Sequence, residues 1–231
     1  MTPALQRILL GGVVPVVVGG GTSPTAWVSS DPNITGSGAG DYTFVSSGAA
    51  TNDLVIVQVL DSGSGPPTLK LTGSGVFLTQ IGPHTEISGQ GYSYYLYWGV
   101  LASSDIISKH ITFASVHTNT EYVVTVYHGG STVTSKQWAT ESSSTLTFSG
   151  FAPNGSSKGV IVFSQDGGGS NDTVAGMTNA VNWTQRYHGI ISGGYWAGQV
   201  IDLTSGYTNN TSVLTYTTTA GNVSGYIVEI T

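Results

Sequence analysis

Few side chains in this chain are equipped for chemistry. Histidine occurs five times, as His84, His110, His117, His128 and His188, and cysteine not at all. His110, His117 and His128 could meet only if adjacent strand ends carried them together. No carboxylate stands at a fixed spacing from them, so positions at strand edges are the simpler reading and no metal site is expected. Of the eight aspartates and four glutamates, Asp61, Glu86, Asp105 and Asp166 are available for acid–base work, but nothing pairs two of them as a glycosidase requires. The HExxH, GxxxxGK[ST] and GxGxxG patterns are absent and no nucleophile elbow is read, so no catalytic residue is assigned. Gly167 to Ala175 approaches a nine-residue calcium repeat with Ser170 in a glycine position. A single copy cannot sandwich an ion between successive turns, and a plain turn is the better account.

The most informative cluster is aromatic. On an extended strand, Tyr92, Tyr94, Leu96 and Trp98 share one face while Tyr95 and Tyr97 share the other. One face must serve the core. The other offers rings and hydroxyls to a second subunit or to a sugar ring, unless both faces are buried. Tyr195 and Trp196 occupy comparable places about 100 residues later. Tyr95, Tyr97, Tyr195 and Trp196 are therefore the candidate contact residues, with subunit, glycan and core readings all open.

The elements that would hold them follow from composition and repetition. Glycine, threonine and serine contribute 33, 30 and 29 of 231 residues, and only 8% are charged. Such a chain has little means of forming long helices, and no window of eleven or more residues carries a helical period. The net charge is −6, with six scattered bases, which excludes a basic track for nucleic acid. Runs of β-branched and aromatic residues bounded by Gly, Asn, Ser and Pro read as strands.

These runs come twice. Tyr42-Thr43-Phe44 returns as Leu146-Thr147-Phe148, Val55-Ile56-Val57 as Val160-Ile161-Val162, and Thr79-Gln80 as Thr184-Gln185. Ile111-Thr112-Phe113 returns as Leu214-Thr215-Tyr216, and Tyr122-Val123-Val124 as Tyr226-Ile227-Val228. Five matches in one order at nearly one offset establish an internal repeat. The expected fold is all-β: a jelly-roll-like β-sandwich over 41–231, with pseudo-repeated halves 41–130 and 145–231 joined by 131–144. One sandwich is favoured over tandem domains because each half alone offers one sheet's worth of apolar faces, which need a partner sheet to cover them.

Residues 1–40 read as an extended apolar arm. Ile8, Leu9, Leu10, Val13, Val14, Val16, Val17 and Val18 are its anchor candidates, followed by Gly19-Gly20-Gly21 as a hinge. The stretch is broken by Gly-Gly and Pro and falls short of the ~20 residues that span a bilayer. It is read as a retained arm that buries itself on a partner, not as a cleaved leader or a membrane segment.

Several of these strands resemble those of tailed-bacteriophage virion proteins. The Asn52-Asp53-Leu54-Val55-Ile56-Val57 opening is similar to their GDLLV strands. The turns from Phe77 to Gln80 and Trp183 to Gln185, the YYLYW strand at 94–98 and the VTVYHG strand at 124–129 are similar as well. The resemblance covers about 41–231; the arm departs from it. It implies a head decoration (cement), fibre or spike subunit at the virion surface, assembled as a homotrimer or other symmetric oligomer. Its implied partners are copies of itself and other virion proteins, capsid or fibre base, with no cofactor and no turnover. A carbohydrate-binding adhesin that recognises host surface glycan is the second expectation.

Overall fold

The computed structural model describes residues 26–34, 40–43, 48–62, 65–82, 85–87, 92–114, 120–129, 132–141, 144–149, 159–166, 174–177, 181–192, 196–205, 212–216 and 223–231. The anchor candidates between Ile8 and Val18, and Tyr195, lie outside them. The fold is all-β. In the first half the strands are β1 (Ala26–Ile34), β2 (Gly40–Thr43), β3 (Leu54–Asp61), β4 (Leu69–Leu71), β5 (Thr79–Gln80), β6 (Thr85–Ile87), β7 (Tyr92–Val100), β8 (His110–Phe113) and β9 (Glu121–His128). One short helix, α1 (Ser103–Ser108), separates β7 from β8. The second half supplies β10 (Val133–Glu141), β11 (Thr145–Phe148), β12 (Gly159–Asp166), β13 (Val174–Met177), β14 (Val181–Ser192), β15 (Trp196–Ser205), β16 (Ser212–Tyr216) and β17 (Val223–Ile230).

Where one sandwich was expected, the strands form four antiparallel sheets, two in each half. The first half pairs β1-β9-β3-β7-β5, with β6 also on β7, and faces it with β2-β8-β4. The second half repeats the plan as β10-β17-β12-β15-β14 and β11-β16-β13. The reason lies in β3, whose eight residues are all buried. Val55, Val57 and Val59 point to Leu69, Leu71, Ile111 and Phe113 of the small sheet. Leu54, Ile56 and Leu60 point the other way, to Val200, Tyr226, Val228 and Ile230 of the second half. A strand apolar on both faces needs a layer on each side, at ~1.5–3 kcal/mol per fully buried Leu, Ile or Val.

Two boundaries also differ from expectation. Residues 26–34, placed in the arm, form β1 along β9, and most of the supposed connection 131–144 is β10 along β17. Both are edge strands. Pro32 is tolerated in β1 because an edge strand has one side free of ladder hydrogen bonds.

The registers align the halves residue by residue. Val55 pairs with Val126 and Val160 with Glu229, so aligning Val55 with Val160 aligns Val123, not Tyr122, with Tyr226. Four of the five sequence matches hold in this register, and that fifth slips by one. A one-residue slip reverses the face: Tyr122 lies inside the first half, whereas Tyr226 lies between the halves. Edge strands β1 and β10 even share a bulge at corresponding places, between Trp27 and Ser29 and between Val133 and Ser135. The large sheets stack so that β1 meets β14 while β10 meets β6, an approximate twofold exchange of equivalent elements.

Candidate functional site

The aromatic strand β7 is the first place to look, and the structure closes it. Tyr95 and Tyr97 are 1% and 3% exposed and belong to the core between the large and small sheets of the first half. The Tyr97 hydroxyl donates to the Pro67 carbonyl at 2.6 Å, and burial drives its pKa far above the ordinary tyrosine value. On the opposite face Tyr94 is fully buried, donates to Gln58 Oε1 at 2.6 Å, and meets Tyr226 edge-on at 5.2 Å between ring centres. The expected contact role of Tyr95 and Tyr97 is therefore corrected. They are core residues, because sheets cover both faces of β7. Trp196 opens β15.

The ionisable candidates divide in the same way. Asp61 is buried and accepts from the Thr120 hydroxyl at 2.8 Å. Asp105 is buried and accepts from the N–H groups of Ser74 at 2.7 Å and Ala102 at 2.9 Å, which fixes the start of α1 against the loop after β4. Glu86 lies in β6 and Asp166 ends β12, on opposite halves. His110 begins β8 and His128 ends β9, in different sheets, and His128 Nδ1 lies 2.7 Å from Asp53 Oδ1. His117 and the 167–173 turn fall outside the described residues. Among the described residues no three His, Asp or Glu side chains gather into a metal-binding group.

A buried polar cluster sits between the halves. Arg186 Nε donates to Asp202 Oδ2 at 2.6 Å, and Tyr127 of β9 lies beside the same carboxylate. Burial raises the pKa of Asp202, while Arg186 opposes that rise. Burial likewise raises Tyr127, with Asp202 adding to it, and lifts Tyr187 to about 12. In the repeat register the counterparts of Arg186, Asp202 and Tyr127 are Ile81, Trp98 and Ile230, which line the apolar end of the same interface. The cluster thus distinguishes one end of a nearly twofold interface from the other. Tyr127 and Asp202 are buried, while Arg186 keeps part of its side chain in water.

An outward-facing site lies at the open side of the second half, where β10 edges the large sheet and β11 the small one. A cleft of about 400 Å³ runs between them, lined by Gln137, Trp138, Thr147, Phe148 and Ser149. Trp138 is 46% exposed, and its Cδ1 edge comes 3.7 Å from where a Cβ on Gly82 would stand. Phe148 closes the floor from the core. Gln137 Nε2 donates to the Ser149 carbonyl and ties the two edges together, while Gln137 Oε1 has no protein partner. The described lining residues carry amide, hydroxyl and indole groups and no charge.

Comparison with protein-family models, curated proteins and solved structures gave no match. The cleft is hidden in the sequence, where Trp138 falls within the expected connection 131–144. The available signal was a lone Trp, preceded by Gln, in a stretch dominated by Ser and Thr.

Proposed function

We propose that this protein is a non-enzymatic structural subunit of a tailed-phage virion, a decoration, fibre or spike protein that works through protein–protein contact at the particle surface. The observation that carries this reading is the placement of charge. All six acids whose side chains are described, Asp53, Asp61, Asp105, Glu121, Asp202 and Glu229, are buried. A soluble surface normally holds about 25–35% charged residues, and a surface far below that favours association. Val76, Phe77 and Ile107 are turned outward, adding apolar area suited to a neighbouring subunit.

The strand orders support the jelly-roll part of the reading. In each half the last strand inserts between the first and third, while the second, fourth and eighth form the facing sheet of the first half. Val76 to Leu78 extend that small sheet beside β4 through the Lys70–Phe77 bridge. Two such modules fused back to back make a stiff block, which a shell or fibre needs.

The test is the mass in solution, by light scattering, of the full chain beside a chain beginning at Thr25. The cut is placed there to spare β1, because removing that strand would strip the edge of β9. A closed oligomer, a trimer above all, supports the proposal in either case. Survival of the oligomer in the shortened chain makes 1–24 a tether. A monomer in both sinks it. A second reading, glycan binding, is favoured by exposed Trp138 in a cleft whose described lining residues are uncharged.

A further inference from the structure

We propose that the β10–β11 cleft is a binding site for a neutral carbohydrate, with Trp138 as the stacking surface. The proposal deepens the glycan-binding reading and places it on residues other than Tyr95 and Tyr97. A sugar ring presents an apolar C–H face and a rim of hydroxyls. The first fits the negative face of an indole; the second needs short polar groups of both hydrogen-bonding senses. Trp138, Gln137, Thr147 and Ser149 supply that combination on one cleft. Its volume of about 400 Å³ lies in the range of small-molecule sites.

Three features narrow the ligand class. None of the described lining residues is charged, so they offer a phosphate, sulfate or sialic carboxylate no compensation for its desolvation. The Cδ1 edge of Trp138 lies 3.7 Å from where a Cβ on Gly82 would stand, so a glycine there leaves that edge of the indole clear. A docking peptide strand would want the Ser149 carbonyl at the end of β11, and Gln137 Nε2 already occupies it. Gln137 Oε1, lacking a protein partner, is an acceptor that a sugar hydroxyl can complete.

The experiment applies the labelled full chain to an array of neutral glucan, mannan, galactan and xylan oligosaccharides beside sialylated ones, then measures the best binder by titration calorimetry. The expected result is saturable binding of a neutral oligosaccharide, weakened at least about tenfold in Trp138→Ala and lost in Ser149→Trp. The second variant fills the cleft from an exposed position and removes no packing, so it decides the matter if Trp138→Ala melts early. Binding that survives both variants overturns this site while leaving the protein a glycan binder. A preference for sialylated chains overturns the neutral class. No binding on the array overturns the site and the glycan reading together, and leaves the assembly reading standing on its own test.

Discussion

Replacing Arg186 by Met strands the Asp202 carboxylate between the halves, beside Tyr127 and without its 2.6 Å partner. Breaking a buried pair from one side costs about 3–5 kcal/mol. The Arg186 side chain keeps 29% of its surface in water, so screening trims the expected loss to about 2–3 kcal/mol. With a urea slope of about 3 kcal/mol/M, the midpoint at pH 7 should fall by roughly 0.7–1 M. The pH dependence has a fixed sign. Burial holds the folded pKa of Asp202 above its unfolded value of 3.8, and removing Arg186 takes away the influence that lowers it. Between those two pKa values the folded state binds the proton and the unfolded chain does not, so stability falls as pH rises through that window. The deficit of the variant therefore shrinks on going from pH 7 to about pH 4.5. Adding Asp202→Leu removes the stranded charge and should recover most of the loss at pH 7. Urea unfolding of the wild type, Arg186→Met and the double variant at both pH values gives the answer. A pH 7 midpoint within about 0.2 M of wild type, or an equal deficit at both pH values, refutes the account.

Two further outcomes follow from close contacts. A Cβ on Gly73 would stand 2.3 Å from the Ser104 carbonyl oxygen and 2.7 Å from the Asp105 nitrogen, all backbone. Gly73→Ala should thus cost about 1–3 kcal/mol and lower the melting temperature by several degrees in calorimetry. Tyr226 donates to the Tyr94 carbonyl across the halves at 2.9 Å; Tyr226→Phe should cost about 1 kcal/mol in urea unfolding while the ring packing persists.

What the sequence disclosed was the part written in apolar residues. The buried strands β3, β7, β8 and β9 emerge within a residue or two of their expected bounds, because runs such as Leu54 to Leu60 have few other ways to leave water. The repeat emerged for the same reason. Edge strands β1 and β10 did not: Ser29, Ser30, Pro32, Ser135 and Gln137 carry no apolar alternation, and only pairing with β9 and β17 makes them strands. Helix α1 is shorter than any window that could show a helical period. The choice between core and contact for Tyr95 and Tyr97 stayed open because one strand cannot reveal how many layers will cover it. Trp138 escaped for the converse reason: it lies on an edge strand that the sequence did not announce.

The strand order also dictates a timetable for synthesis. β9, the last strand of the first half, must lie between β1 and β3, so the centre of that sheet stays open until residue 128 has left the ribosome. Once closed, its far face still carries Leu54, Ile56, Tyr94 and Leu96, whose cover in the second half ends with β17, the final strand of the chain. A growing chain therefore carries a finished module with a bare apolar face for the roughly 5–20 seconds that about 100 residues take at bacterial-like rates of 5–20 residues per second. Neighbouring ribosomes on one message hold identical bare faces, so crowded translation is the hazard this architecture creates. The Arg186–Asp202–Tyr127 cluster is spelled only by joining the two different halves. It rewards the waiting module for pairing with its own successor over its twin on the next ribosome.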